Sequence, residues 1–180
     1  MSLQKSKKPK KNPKVKKDKP PKASSLKLIE NLTVELLDEI GFKEKSVKII
    51  MGDEGNIRIN VDSPEAGILI GNYGETISSI QLVLSLMLYK KLGEWQKIVL
   101  NVGDYLEKRE ENLKKIALNT AKRVKFSQEE VVLTYLNSAE RRIIHLVLAD
   151  NPDVLTESIG EGRDRRLVIK VKTETKNKES

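Results

Sequence analysis

The 180-residue chain has no cysteine, one histidine, one tryptophan and two phenylalanines. Without cysteine there are no disulfides and no thiolate metal sites, and a lone imidazole, His145, cannot build a histidine-based zinc site. No run of eighteen apolar residues occurs, and the N-terminus carries no signal-peptide-like apolar stretch. No integral membrane segment is therefore expected, and the cytoplasm is the expected compartment. Common catalytic signatures are missing as well: no Gly-x-Ser-x-Gly, no Walker loop, no His-Glu-x-x-His, and Gly160-x-Gly162 lacks the third glycine of a dinucleotide loop. No carboxylate is evidently placed to orient His145 for phosphodiester hydrolysis. Neither an enzyme nor a metal or organic cofactor is expected.

Charge is what the chain has in quantity, with 34 Lys and Arg against 26 Asp and Glu for a net +8, spread unevenly. Residues 1–25 hold ten lysines, four prolines and a single acid, Asp18, with too few large apolar side chains to offset the entropy of ordering. A disordered basic tail is expected there, solubilising the protein or attaching it weakly to RNA, DNA or an anionic membrane. Residues 26–103 are acidic on balance and residues 104–180 mildly basic. The remainder after the tail suffices for one modest core or two thin ones.

From Ser25, Leu28, Leu32, Leu36 and Ile40 recur at four-residue spacing beside Leu37, which predicts an amphipathic helix stopped at Gly41. "SVKIIM" and "NIRINV" flank the turn formers Gly52-Asp53-Glu54-Gly55 and predict a β-hairpin. Ser63 and Pro64 suit an N-cap and first helical position for a short helix ending at Gly71. A second helix is predicted from about Glu75 to Lys91, apolar along most of its length as if buried against a sheet, and then a strand in "EWQKIVLNV". Residues 104–125 predict a charged helix with Leu106, Leu113, Ile116, Ala117, Thr120 and Val124 on one side. "EVVLTYL" predicts a strand, Asn137 with Glu140 a capping box, "AERRIIHLVLAD" a helix stopped before Pro152, and "LTESI" with "RRLVIKV" a closing hairpin.

The order helix, strand, strand, short helix, Gly71-Asn72-Tyr73-Gly74, long helix, strand resembles the type II KH domain over the whole of residues 26–103. In that module the loop between the two helices clamps the backbone of about four nucleotides. A first glycine lets a helix end abruptly, and a second lets a phosphate approach without meeting a Cβ. Asn72 and Tyr73 stand where nucleic-acid-binding KH loops carry Lys or Arg, so protein pairing by this domain is a parallel expectation.

In "SAERRIIHLVLAD", Arg141 and His145 lie four residues apart along the edge of a stripe of Ile143, Ile144, Val147 and Leu148. They can reach one ligand, the guanidinium forking onto a phosphate and the imidazole stacking or donating. Arg-x-x-x-His between a charged helix and "GEGRDRRLVIKV" resembles the R-three-H domain, associated with single-stranded nucleic acid. Asn137, Arg141, Arg142, His145, "DNPDV" and Arg165-Arg166 fall where that family would put them.

KH followed by R-three-H resembles the bacterial Jag family, also called KhpB or EloR. The resemblance implies an α+β protein with a KH domain at 26–103 and an R-three-H domain at 104–173, set between the disordered lysine-rich tail expected at 1–25 and a C-terminus expected to fray at 174–180. It implies RNA binding, as a chaperone or post-transcriptional regulator, and a link to cell elongation and peptidoglycan homeostasis. The implied partners are single-stranded RNA or DNA and a small single-KH protein of the KhpA kind, or a second copy of the chain. Members often begin with a small folded Jag-N domain, where this chain has its lysine-rich tail. A different class of function, an interaction scaffold that binds nucleic acid only weakly, fits the acidic KH segment.

Overall fold

The computed structural model describes residues 23–52 and 56–172. Most of the expected basic tail, the hairpin tip at 53–55 and the expected frayed terminus at 174–180 lie outside the described residues. In chain order the elements are α1 (Ala23–Glu39), β1 (Ser46–Met51), β2 (Ile57–Asp62), α2 (Ala66–Ile70), α3 (Glu75–Leu92), β3 (Ile98–Val102), α4 (Tyr105–Ser127), β4 (Val131–Leu133), α5 (Ser138–Leu148), β5 (Val154–Ile159) and β6 (Arg166–Val171). The class is α+β with the expected element order.

Two three-stranded sheets organise the described residues. In the first, β2 is central, antiparallel to β1 and parallel to β3. A parallel pair needs a crossover, and α2 with α3 supplies it. Ile57, Ile59 and Val61 alternate inward from β2 onto Ile29, Leu37, Leu84 and Leu88 of the covering helices. In the second sheet β6 is central, flanked by β4 and β5, both antiparallel. Leu167 and Ile169 of β6 pack on Leu113, Ala117 and Val124 of α4 and on Ile144 and Leu148 of α5.

Some local expectations shift. α1 begins at Ala23, and its core stripe is centred on Ile29, Leu32 and Leu37, leaving Ile40 exposed. Ser63 does not cap α2: its hydroxyl accepts the Glu65 N–H in the preceding turn, and Glu65 is the N-cap residue. On α4, Ile116 is exposed and Ala121 joins Leu113, Ala117 and Val124 inside. Strand β4 ends at Leu133, because Tyr135 adopts a left-handed backbone with φ 56° that no ladder can accommodate.

Helix α3 packs against the sheet as expected, burying Ile77, Ile80, Leu84 and Leu88 with Met87 and Leu92 partly covered, but not all of its apolar residues are used there. Leu82, Val83, Leu86 and Tyr89 face outward, and Tyr89 stacks on exposed Trp95 with ring centroids 5.0 Å apart. A helix covering one side of one sheet buries a single stripe, so the surplus apolar residues form a second surface. Leu84→Ala should therefore lower stability by about 2–5 kcal/mol, whereas Leu82→Ala should stay within about 0.5 kcal/mol. Urea midpoints at unchanged m-value check the pair.

Candidate nucleic-acid interface

The candidate interface begins at the loop between α2 and α3. Gly71 has φ 71° and ψ −172°, a region open essentially to glycine alone, and it terminates α2. Asn72–Gly74 then make one tight turn in which Tyr73 (φ 50°) and Gly74 (φ 83°) are both left-handed. A Cβ on Gly71 would collide with the Thr76 side chain, and one on Gly74 with the Tyr105 hydroxyl. The space left by the second glycine is thus filled by the chain's own Tyr105, not held open for a phosphate as expected. Burial pushes the Tyr105 phenol up, opposed by Arg109 and aided by Glu140, so the hydroxyl stays protonated near neutrality. The loop carries no cation, and Glu75 puts a carboxylate in the first turn of α3.

Its missing positive charge comes from α4. The Arg109 guanidinium lies over the Tyr73 ring, 5.7 Å from the centroid, and its Nε donates to Glu140 Oε1 at 2.7 Å. Glu140 is 6% exposed. Its other oxygen accepts the Asn137 N–H at 2.8 Å, while Asn137 Oδ1 accepts the Glu140 N–H at 2.9 Å, completing the expected capping box of α5. A buried carboxylate is tolerable here because both oxygens are bonded.

Between β4 and α5, Tyr135 projects its ring parallel to Tyr73, with centroids 5.8 Å apart and planes 8° apart. The rings remain 57% and 73% exposed, so neither is a core residue. Two left-handed aromatic residues, each at a backbone cost of about 1–2 kcal/mol, meet across the gap between the two sheet units. They stand at a cleft of about 880 Å³ that Arg141, Arg165 and Arg166 also line, together with the acids Glu75, Glu140 and Asp164.

Arg141 is half-buried, and its Nη1 donates to the carbonyls of Leu136 at 2.6 Å and Arg165 at 3.4 Å. This bond set ties the start of α5 to the loop before β6. Arg165 is exposed, with Nε donating to Ser158 Oγ at 2.9 Å, and Arg166 opens β6 with its side chain exposed. Tyr73, Gly74, Arg141, Arg165 and Arg166 are thus brought to one cleft. Asn72 is exposed on the loop beside it. Arg142 and His145 are exposed on α5 outside the cleft lining, and His145 Nδ1 shares a hydrogen bond with the Thr156 hydroxyl on β5. Tyr105, Arg109, Tyr135 and Glu140 are the additions that sequence reasoning missed as site residues. Only Glu140 carried a signal, as the expected cap partner of Asn137. Among the described residues no group of His, Asp and Glu could hold a metal, and no helix is long and apolar enough to cross a membrane.

The architecture is that of a tandem of two small α+β modules, and residues 27–102 match the KH domain of KhpA/KhpB while residues 111–171 match the R-three-H domain. Curated proteins named RNA-binding protein KhpB are similar to this chain: that of Clostridium symbiosum is 31% identical over 86% of the chain and 72% of its own length. That of Bacillus subtilis (strain 168) is 30% identical over 69% of the chain and 61% of its own length, and that of Lactiplantibacillus plantarum 34% over 63% and 35%. The chain belongs to the KhpB family.

The Glu140 network makes a stability prediction. Glu140→Ala leaves Arg109, whose side chain is 16% exposed, without its carboxylate and removes half of the capping box, and should cost about 3–5 kcal/mol. Glu140→Gln, which can still accept the Asn137 N–H, should cost less. Paired denaturation curves check the order.

Proposed function

We propose that the chain binds single-stranded RNA in the cleft between its two modules and acts as an RNA chaperone or post-transcriptional regulator, without catalysing a reaction. The carrying observation is the convergence of Tyr73 and Gly74 of the KH loop with Arg141, Arg165 and Arg166 on one cleft. Arginine forks suit phosphate oxygens, and a cleft lined by both arginines and exposed aromatic rings suits an unpaired strand more than a duplex. The relatives' name, RNA-binding protein KhpB, supports the same reading. Arg142, His145 and Asn72 stay in the proposal as outlying contacts, and single-stranded DNA as a second ligand. The cytoplasm is the compartment proposed with this function. The connection to cell elongation and peptidoglycan homeostasis belongs to the proposal on family resemblance alone.

Fluorescence anisotropy with a labelled unstructured RNA, titrated across salt concentrations, tests it. Arg165→Ala combined with Arg166→Ala should weaken binding and flatten the log-log salt slope by about 0.7 for each phosphate no longer neutralised. Unchanged affinity and slope would sink the cleft as the binding site.

The outward stripe of Leu82, Val83, Leu86 and Tyr89 on α3 favours a second, compatible reading, in which the KH module pairs with a small single-KH protein or with a second copy of the chain. Apolar residues lined along one helix face suit packing against another helix. Leu86→Glu, at a site 49% exposed, should leave the fold intact and abolish any concentration-dependent dimer or captured single-KH partner in sedimentation velocity runs. Unaltered association in this variant would place the partner surface elsewhere.

A further inference from the structure

Neither Tyr73 nor Tyr135 is accounted for by the fold. Each holds a left-handed backbone, which non-glycine side chains rarely adopt, and each leaves more than half its surface to solvent. The usual return for an aromatic side chain, burial in a core, is absent at both. What they make instead is a parallel stack with each other, backed at Tyr73 by the Arg109 guanidinium. Tyr135, the more exposed of the two, stands where that stack meets the cleft that Arg141, Arg165 and Arg166 also line.

We infer that Tyr135 is a nucleobase-stacking platform, held in place by Tyr73, on which a base of the single strand continues the stack while the neighbouring phosphates lie along Arg165 and Arg166. The inference rests on the proposed RNA binding and adds a base contact to it. The pairing of rings also gives the KH loop a role that needs no lysine or arginine in its two middle positions: Tyr73 orients the platform. Stacking is tolerant of base identity, since every base has a π face, so the site reads the presence of an unpaired base and not its sequence.

The test uses the full chain and two labelled single strands of equal length and charge, one of mixed sequence and one with abasic positions. Tyr135→Asn is the informative variant, because asparagine accepts the left-handed backbone but offers no ring. Its affinity for the intact strand should fall by about 5- to 150-fold, the range for losing one base–aromatic stack, with the salt slope unchanged. Tyr135→Phe should bind within about twofold of the wild type. On the abasic strand, wild type and Tyr135→Asn should bind alike. Equal affinity of wild type and Tyr135→Asn for the intact strand would overturn the inference while leaving RNA binding standing. An equal loss on intact and abasic strands would also overturn it, since the ring would then be serving the backbone path. A wild type that binds neither strand would remove the proposed function and the stacking platform together.

Discussion

The site depends on where the Glu140 carboxylate is held. It closes the capping box that starts α5, and it anchors Arg109 of α4 over the Tyr73 ring of the KH loop. One buried acid thereby fixes the entry angle of the helix carrying Arg141 and the position of the cation beside the Gly-x-x-Gly turn. Such an arrangement is costly to desolvate, and a donor at each oxygen offsets that cost.

Among the described residues, the two apolar cores share no buried side chain. Ile29 through Val102 form one cluster, and Leu113 through Ile169 the other. What lies between them is polar or aromatic: Tyr105 against Gly74, Tyr73 against Tyr135, Arg109 with Glu140. Contacts of this kind contribute less bulk burial than a continuous core, and they demand particular distances. The modules are therefore positioned by a few directional contacts and held together internally by area, a division of labour that keeps the cleft between them open to a ligand.

The element order is legible in the sequence because each core face imposes a period. Ile57, Ile59 and Val61 alternate, and Ile143, Ile144, Val147 and Leu148 fall in a helical stripe, so strand and helix are assigned without tertiary information. Asn137 and Glu140 announce the start of α5 at three-residue spacing. The outward stripe of α3 is not legible, since its apolar residues are the same whether they meet a sheet or another molecule. Tyr135 is hidden for a different reason: "LTYL" has the composition of a strand, and nothing in it announces a left-handed backbone. The Arg109–Glu140 pair spans 31 residues of sequence, and no local pattern connects them. Arg141 shows how spacing can overstate a partnership, for its guanidinium turns to the Leu136 and Arg165 carbonyls while His145, one turn later, engages Thr156.

Only Gly103 and Asp104 separate β3 from α4. Buried Asn101 fastens this joint, donating to the Gly103 carbonyl at 3.0 Å and accepting the Leu106 N–H at 3.2 Å. Because the joint runs straight into a helix, its length acts as a phase. One residue more or less would turn everything downstream by about 100° about the α4 axis, carrying Arg109 off Tyr73 and Arg141, Arg165 and Arg166 away from the loop. Most connections between modules tolerate insertions as slack; this one behaves like the register of a strand pair, where a single slip exchanges one face for another. Sequence length at residues 103–104 is consequently as much a determinant of the cleft as any side chain that lines it.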